Sequence, residues 1–241
     1  MDRIEAVQRA LNNRSRRIYL EIGVSQGKAF RAITAHEKIA VDPAFAISKR
    51  DRERAAAAAD ATHYFETTSD AFFANETAFL EQRGIDVALI DGLHTYRQAM
   101  RDVQNTLRYV REGGVVFLHD CNPARAPIAD PAASYGEFRQ RYPWWDLSWG
   151  LSIADRLIRP WTGDVWKAVV ELRSTRDDLR IAVLDCDFGV GVITRGAPES
   201  RLPYSPEQIQ QLTYADLAAD RRRLLNLRPP THLEDMLGAR R

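Results

Sequence analysis

The chain has 241 residues, 45% hydrophobic and 28% charged, which is enough apolar material to bury a core without disulfide or metal staples. Its 34 basic and 33 acidic residues leave a net charge of +1, which argues against a nucleic-acid surface or a polybasic membrane patch. No apolar run is long enough to span a bilayer, and Met1-Asp2-Arg3-Ile4-Glu5 lacks signal-peptide character. Cys121 and Cys186 make no CxxC pair, so the expectation is a reducing, cytoplasmic setting.

In chain order, Ile4, Val7 and Leu11 share one face of a helix that Asn12-Asn13 end. Arg17 to Val24 is a β-prone run that leads through a Gly-containing turn into a helix from about Gly27. Lys38 to Asp42 is a second strand, stopped by Pro43; a helix covers about Ala46 to Ala59, and Thr62 to Thr67 is a third strand. A helix through Phe72 to Gln82 closes at Arg83-Gly84, and Ile85 to Asp91 is almost continuously apolar, as a strand covered on both faces should be. The next helix, Thr95 to Val110, carries Tyr96, Ala99, Met100, Val103, Leu107 and Val110 along one stripe. Gly113-Gly114 is expected to break it before a fifth strand, Val115 to His119. Strands separated by helices of this length imply right-handed βαβ crossovers and an α/β fold, a mostly parallel sheet with helices on both faces.

After Pro123 the composition changes. Residues 124–162 are rich in Pro, Trp and Tyr, and Trp144, Trp145, Trp149, Trp161 and Trp166 fall within 23 positions. They read either as an acceptor wall or lid, or as packing for a sheet edge or subunit interface. A helix spans Asp164 to Arg173, and strands Leu179 to Leu184 and Gly189 to Thr194 form an antiparallel hairpin. Ser205-Pro206-Glu207-Gln208 opens a last helix with a capping box, and that helix runs to about Leu225. The chain is expected to be one domain over 1–241, with its core at about 15–195, an insert at 124–162 and a C-terminal helix and tail at 204–241.

In an open parallel sheet, ligands sit beyond the carboxyl ends of the strands. Five successive strands here end on polar residues: Glu21 with the turn to Gly27, Asp42, Thr68-Ser69-Asp70, Asp91-Gly92-Leu93-His94 and His119-Asp120. Gly23 and Gly27 let the backbone of the first turn approach a ligand, although the spacing is GxxxG rather than GxGxxG. Asp42, 19 residues beyond Gly23, stands where a carboxylate accepts both hydroxyls of a ribose, pointing to an adenosine-containing cofactor. Asp42 also reads as a turn residue before Pro43. Ser69 and Asp70 either read an adenine amine or cap the following helix.

These residues carry a resemblance. The E-x-G-x-x-x-G turn, Asp42 and the block IDGLHTYRQAMRDVQNTLRYVREGGVVFLHD resemble class I S-adenosylmethionine-dependent methyltransferases over about residues 15–195. Within that class, the DxxH of Asp91 and His94 with Asp120 is similar to the metal-dependent sugar O-methyltransferases of macrolide-antibiotic pathways. The resemblance implies a Rossmann-like fold, and contacts to S-adenosylmethionine from Glu21, Gly23, Ser25, Gly27, Asp42, Ser69 and Asp70. It also implies magnesium held by the Asp of DxxH and an acidic pair after the next strand, and a histidine base at His94. The chain departs from that pattern at His119-Asp120, where imidazole replaces one carboxylate.

The chemistry of the residues runs the same way. Methyl transfer from a sulfonium is an in-line displacement, and alignment alone supplies ~7–11 kcal/mol of barrier reduction. A His such as His94 takes the proton an alcohol gives up reluctantly. A divalent cation at Asp91 and Asp120 orients vicinal hydroxyls and acidifies one. Oxygen ligands suit Mg²⁺, and an imidazole from His119 tilts the choice toward Mn²⁺ or a later transition metal. His119 is read either as a ligand or as a residue that orients Asp120, and Cys121 as a small pocket-wall residue. Arg221-Arg222-Arg223 reads as a solvated helix face.

The expectation is therefore an S-adenosylmethionine-dependent O-methyltransferase acting on a small-molecule hydroxyl, with a sugar or glycosylated metabolite favoured. No nucleic-acid or membrane partner is expected, and the subunit count stays open. The rival readings are a nicotinamide-dependent oxidoreductase, which the absent GxGxxG disfavours, and a non-catalytic Rossmann-like binding domain.

Overall fold

In the computed structural model, residues 1–143 and 161–238 are described, so Trp144, Trp145 and Trp149 lie outside the described residues. The chain begins with α1 (Arg3–Asn12), capped by Asp2, whose side chain accepts from the Glu5 amide. Five parallel strands follow: β1 (Ile18–Ile22), β2 (Glu37–Asp42), β3 (Ala61–Glu66), β4 (Ile85–Ile90) and β5 (Val110–Leu118). The helices between them are α2 (Lys28–Ala32), α3 (Lys49–Ala57), α4 (Ser69–Asn75), α5 (Thr77–Arg83) and α6 (Tyr96–Leu107). After a short helix α7 (Tyr135–Arg141) come α8 (Trp166–Thr175), β6 (Leu179–Leu184) and β7 (Val190–Arg195). The chain closes through α9 (Pro206–Gln211), α10 (Tyr214–Ala219), α11 (Arg221–Leu225), a short β8 (Leu227–Arg228) and α12 (Leu233–Leu237). Among the described residues no helix is long and apolar enough to cross a membrane.

The described strands form one sheet in the order β3-β2-β1-β4-β5-β7-β6-β8. As expected, β6 and β7 form an antiparallel hairpin, and β7 pairs antiparallel with β5. The chain moves outward from β1 through β2 and β3, then returns to place β4 on the other side of β1. The switch point, where ligands bind in open α/β sheets, therefore lies at the carboxyl ends of β1 and β4. Side-chain alternation divides the core. Ile18, Leu20, Ile22, Ile39, Val41, Ala88 and Ile90 face a layer that includes α6 and α8, while Tyr19, Ala40, Val87, Leu89 and Phe117 face a layer that includes α1 and α2.

Several boundaries differ from the sequence expectation, among them the helix expected over Asp164 to Arg173, which spans Trp166–Thr175. The 72–82 helix is two, because Thr68 caps α4 and the chain bends at Glu76 between Asn75 and Thr77, both poor helix-interior residues. The 46–59 helix starts later, at Lys49, where Ser48 accepts from the Asp51 amide. The helix expected to reach Val110 stops at Leu107, and Val110 already pairs with Ile85 in β5. Gly113-Gly114 lies inside that strand beside a register shift against β4: Gly113 has φ +72°, and a Cβ on Gly114 would sit 2.6 Å from Val110. The last helix is three. Thr213 opens a second capping box with Asp216, and Asp220 separates α10 from α11.

Candidate active site

Backbone pairing carries the strand ends into the crevice. The amide of Gly23 donates to Val41 O, that of Asp91 to Ile22 O and that of His119 to Ile90 O, so the ends of β2, β1, β4 and β5 stay in step. Gly23 has φ +84°, and a Cβ there would lie 2.1 Å from the Asp91 carbonyl, so only glycine lets the first turn pass this close to the fourth. Asp120 takes φ +62°, an uncommon conformation for a residue with a side chain.

Asp91, His94 and Asp120 come together: one ligand atom from each lies within 4.8 Å of the others. His94 Nε2 is 3.2 Å from Asp120 Oδ2 and 3.5 Å from Asp91 Oδ1. Its Nδ1 is 2.5 Å from the Trp161 carbonyl oxygen, and the two rings approach at 5.4 Å between centroids. The segment holding that carbonyl is pinned where the amides of Thr162 and Gly163 both donate to Ile128 O. Gly163, at φ +56°, passes so near that a Cβ would fall 1.7 Å from the His94 carbonyl oxygen. Next in the chain, Asp164 Oδ1 accepts from the Tyr96 amide at 2.7 Å and caps α6, for which Thr95 makes no side-chain cap.

His119 is buried behind this trio. Its Nδ1 stands 3.1 Å from Asp91 Oδ1 and 3.3 Å from Asp120 Oδ1, and its Nε2 is 3.5 Å from Asp187 Oδ2. Asp187 belongs to the β6–β7 turn, where Asp187, Phe188 and Gly189 all have positive φ. That turn is clamped onto the end of β5 because the amide of Cys121 donates to Gly189 O and that of Asn122 to Phe188 O. From the other end of the chain, Arg3 places Nε 3.3 Å from Asp91 Oδ2 and Nη1 2.9 Å from Asp187 Oδ2.

The charges sustain one another. Burial alone would lower the His94 pKa, but Asp120 and Asp91 more than offset this and bring it to about 9. Burial likewise opposes the charge on His119, and the adjoining carboxylates hold it well above the ordinary imidazole range. Burial would raise Asp91, yet His119, His94 and Arg3 keep it well below the usual carboxylate range. Cys121, by contrast, is buried and pushed up to about 12, so it stays a thiol, donating to the Leu118 carbonyl oxygen at 3.2 Å.

The residues expected at the cofactor fall into three groups. Glu21 is buried, accepts from Tyr19 Oη at 2.6 Å, and is raised by desolvation to about 8. Asp42 ties the first turn together: Oδ2 accepts from the Ser25 amide at 2.7 Å and Oδ1 from the Ala44 amide at 2.8 Å. Each oxygen keeps capacity for another donor. Ser25 sits at φ +46°, and Gly27, at φ +73°, is the N-cap of α2. Ser69 and Asp70 lie at the start of α4 next to α6, where Gln98 Nε2 reaches Ser69 Oγ at 3.1 Å and Asp70 Oδ1 at 3.2 Å. Thr68, rather than Ser69, caps α4. Sequence reasoning missed Arg3, Asp187 and Gly163. Only the run Asp185-Cys186-Asp187-Phe188 between two strands offered a signal, and it marked a turn rather than a site.

Residues 20–121 match the family model described as a methyltransferase domain. No curated protein matches the sequence. Among solved structures, an O-methyltransferase from Bacillus cereus in complex with SAH is 12% identical, over 81% of this chain and 82% of its own, with a TM-score of 0.53. The cofactor-bound protein Rv0187 from MTB is 13% identical, over 81% of each chain, with a TM-score of 0.51. At such identities the likeness is one of fold: these proteins share the Rossmann-like sheet.

Proposed function

Because residues 20–121 match a methyltransferase-domain model, we propose that the chain is a class I S-adenosylmethionine-dependent O-methyltransferase for a hydroxyl of a small molecule, a sugar or glycosylated metabolite first. The observation that carries the reading is the convergence of Asp91, His94 and Asp120 at the switch point, beside the Gly23 turn. S-adenosylmethionine would be held along the first turn, with Asp42 accepting from the ribose hydroxyls, Glu21, Gly23, Ser25 and Gly27 shaping the path of the sulfonium moiety, and Ser69 and Asp70 on the adenine side.

The donor set suits a divalent cation, because two carboxylates and one imidazole offer ligand atoms within 4.8 Å of one another. Asp91 and Asp120 would hold Mg²⁺ or Mn²⁺ through their carboxylate oxygens, which leaves His94 Nε2 free of the ion. When bound, the cation supplies Lewis acidity that orients vicinal hydroxyls and favours loss of one proton. His119, whose two nitrogens both face carboxylates, orients Asp91 and Asp120 rather than ligating.

His94 is the base. The Trp161 carbonyl fixes the proton on Nδ1, so Nε2 is the atom that receives the acceptor's proton. In the protein alone, Asp91 and Asp120 keep Nε2 protonated at neutral pH. A cation that neutralised those carboxylates would leave Nε2 basic where the hydroxyl gives up its proton as its oxygen attacks the methyl group. The test is to incubate the purified protein with methyl-labelled S-adenosylmethionine and a panel of glycosides and phenols, with and without a chelator, and to weigh the products. A methylated glycoside made only with divalent cation supports the reading. Methylation unaffected by exhaustive chelation removes the metal, and cofactor turnover with no oxygen-methylated product removes the function.

A further inference from the structure

The acidic cluster has two halves, and the chain fills one of them itself. Asp91 divides its oxygens: Oδ1 faces His119 Nδ1 and His94 Nε2, whereas Oδ2 faces Arg3 Nε at 3.3 Å. Arg3 Nη1 also reaches Asp187 Oδ2 at 2.9 Å and stands 3.4 Å from His119 Nε2. The Arg3 backbone amide donates to the same Asp187 oxygen at 2.9 Å, so the guanidinium is held from its root as well as its tip. It comes from the first turn of α1, whose Val7, Ala10 and Leu11 are fully buried against the sheet, so the charge is delivered on a rigid element.

Without Arg3, this second half would present two carboxylate oxygens, Asp91 Oδ2 and Asp187 Oδ2, beside the first half. That is the donor set of a second divalent cation, as found in two-metal sites. A guanidinium is permanently charged and forks toward carboxylates, so it satisfies this half with no exchangeable ion. We propose that Arg3 is the resident cation of the cluster: it holds Asp91 and Asp187 in place and restricts the site to a single exchangeable divalent cation on the Asp91–His94–Asp120 side. The inference rests on the metal reading of that trio, and the two fail in distinguishable ways.

The test is Mn²⁺ binding to the intact protein, followed by the paramagnetic resonance of free Mn²⁺ and needing neither cofactor nor acceptor. Wild type is expected to bind one ion. Arg3→Met, which keeps the aliphatic stem and drops the charge, should bind a second ion or bind the first about tenfold more tightly. Arg3→Lys should behave as wild type, and Arg9→Met, on the same helix at the surface, should change nothing. If Arg3→Met does not fold, Arg3→Gln, whose amide can still donate to Asp187 but carries no charge, takes its place with the same expected outcomes. Folded variants that match wild type in both stoichiometry and affinity overturn the role of Arg3 and leave the metal reading standing. Uptake by Arg3→Met but not by wild type supports the resident cation and removes the metal from the native protein. No uptake by any of them overturns both.

Discussion

His94 shows how little of a residue's chemistry is its own. An isolated imidazole titrates near neutrality, but here two carboxylates at 3.2 and 3.5 Å keep it protonated to about pH 9. Asp120→Asn should therefore bring the His94 pKa down toward its ordinary value, read from the imidazole resonances in an NMR titration. A His94 that still titrates near 9 would mean Asp120 is not the cause. His94→Ala should slow methyl transfer by ~10²- to 10⁴-fold, the usual worth of a positioned base, and leave cofactor affinity nearly unchanged by calorimetry. Gly163→Ala should have a similar effect from a distance, because its Cβ cannot fit 1.7 Å from the His94 carbonyl oxygen without moving the ring. Asp91, His94 and Asp120 were legible in the sequence because each lies at or just past a strand end, where side chains enter the crevice. Arg3 and Asp187 were not, because a helix start and a hairpin turn carry no mark of where they will land.

At the scale of elements, the strands were read more securely than the helices. A strand buried on both faces announces itself by its apolar run, as Ile85 to Ile90 does. Helix ends depend on local competition between caps and continuation, so the expected C-terminal helix gave way to three short ones at Thr213 and Asp220. The cap of α6 could not be read locally at all, since Asp164 arrives from 68 positions along the chain. Asp164→Ala should cost about 0.5–2 kcal/mol in urea denaturation, the usual value of a lost N-cap. It should also loosen the Trp161–Gly163 segment over His94. An unchanged midpoint would show that the Tyr96 amide finds another partner.

Across the whole molecule, proton uptake couples the site to stability. Glu21 and Asp102 are raised by burial to about 8 and about 6, so the folded chain holds these protons more tightly than the unfolded one. Their contribution is complete below the ordinary carboxylate range and is lost as pH climbs through those values. Glu199 runs the other way. Burial would raise it, but Arg180, Asn226 and Arg228 bring it to about 2, so its contribution is present at neutral pH and lost on acidification. Thermal unfolding without cofactor should therefore peak in mild acid and decline toward pH 8 and beyond, and Glu21→Gln should flatten that alkaline decline. A variant that loses stability as steeply as wild type would show Glu21 ionised in the folded chain. By itself the sequence determined the α/β class, the run of parallel strands, the closing hairpin and the polar residues at the strand ends, because periodicity and turn chemistry are local properties. Tertiary structure alone decided that Asp91 is shared between His119 and Arg3, that Asp187 joins them, and that Trp161 and Gly163 fix His94. Those partners come from opposite ends of the chain, and only the closing of the sheet brings them within hydrogen-bonding distance.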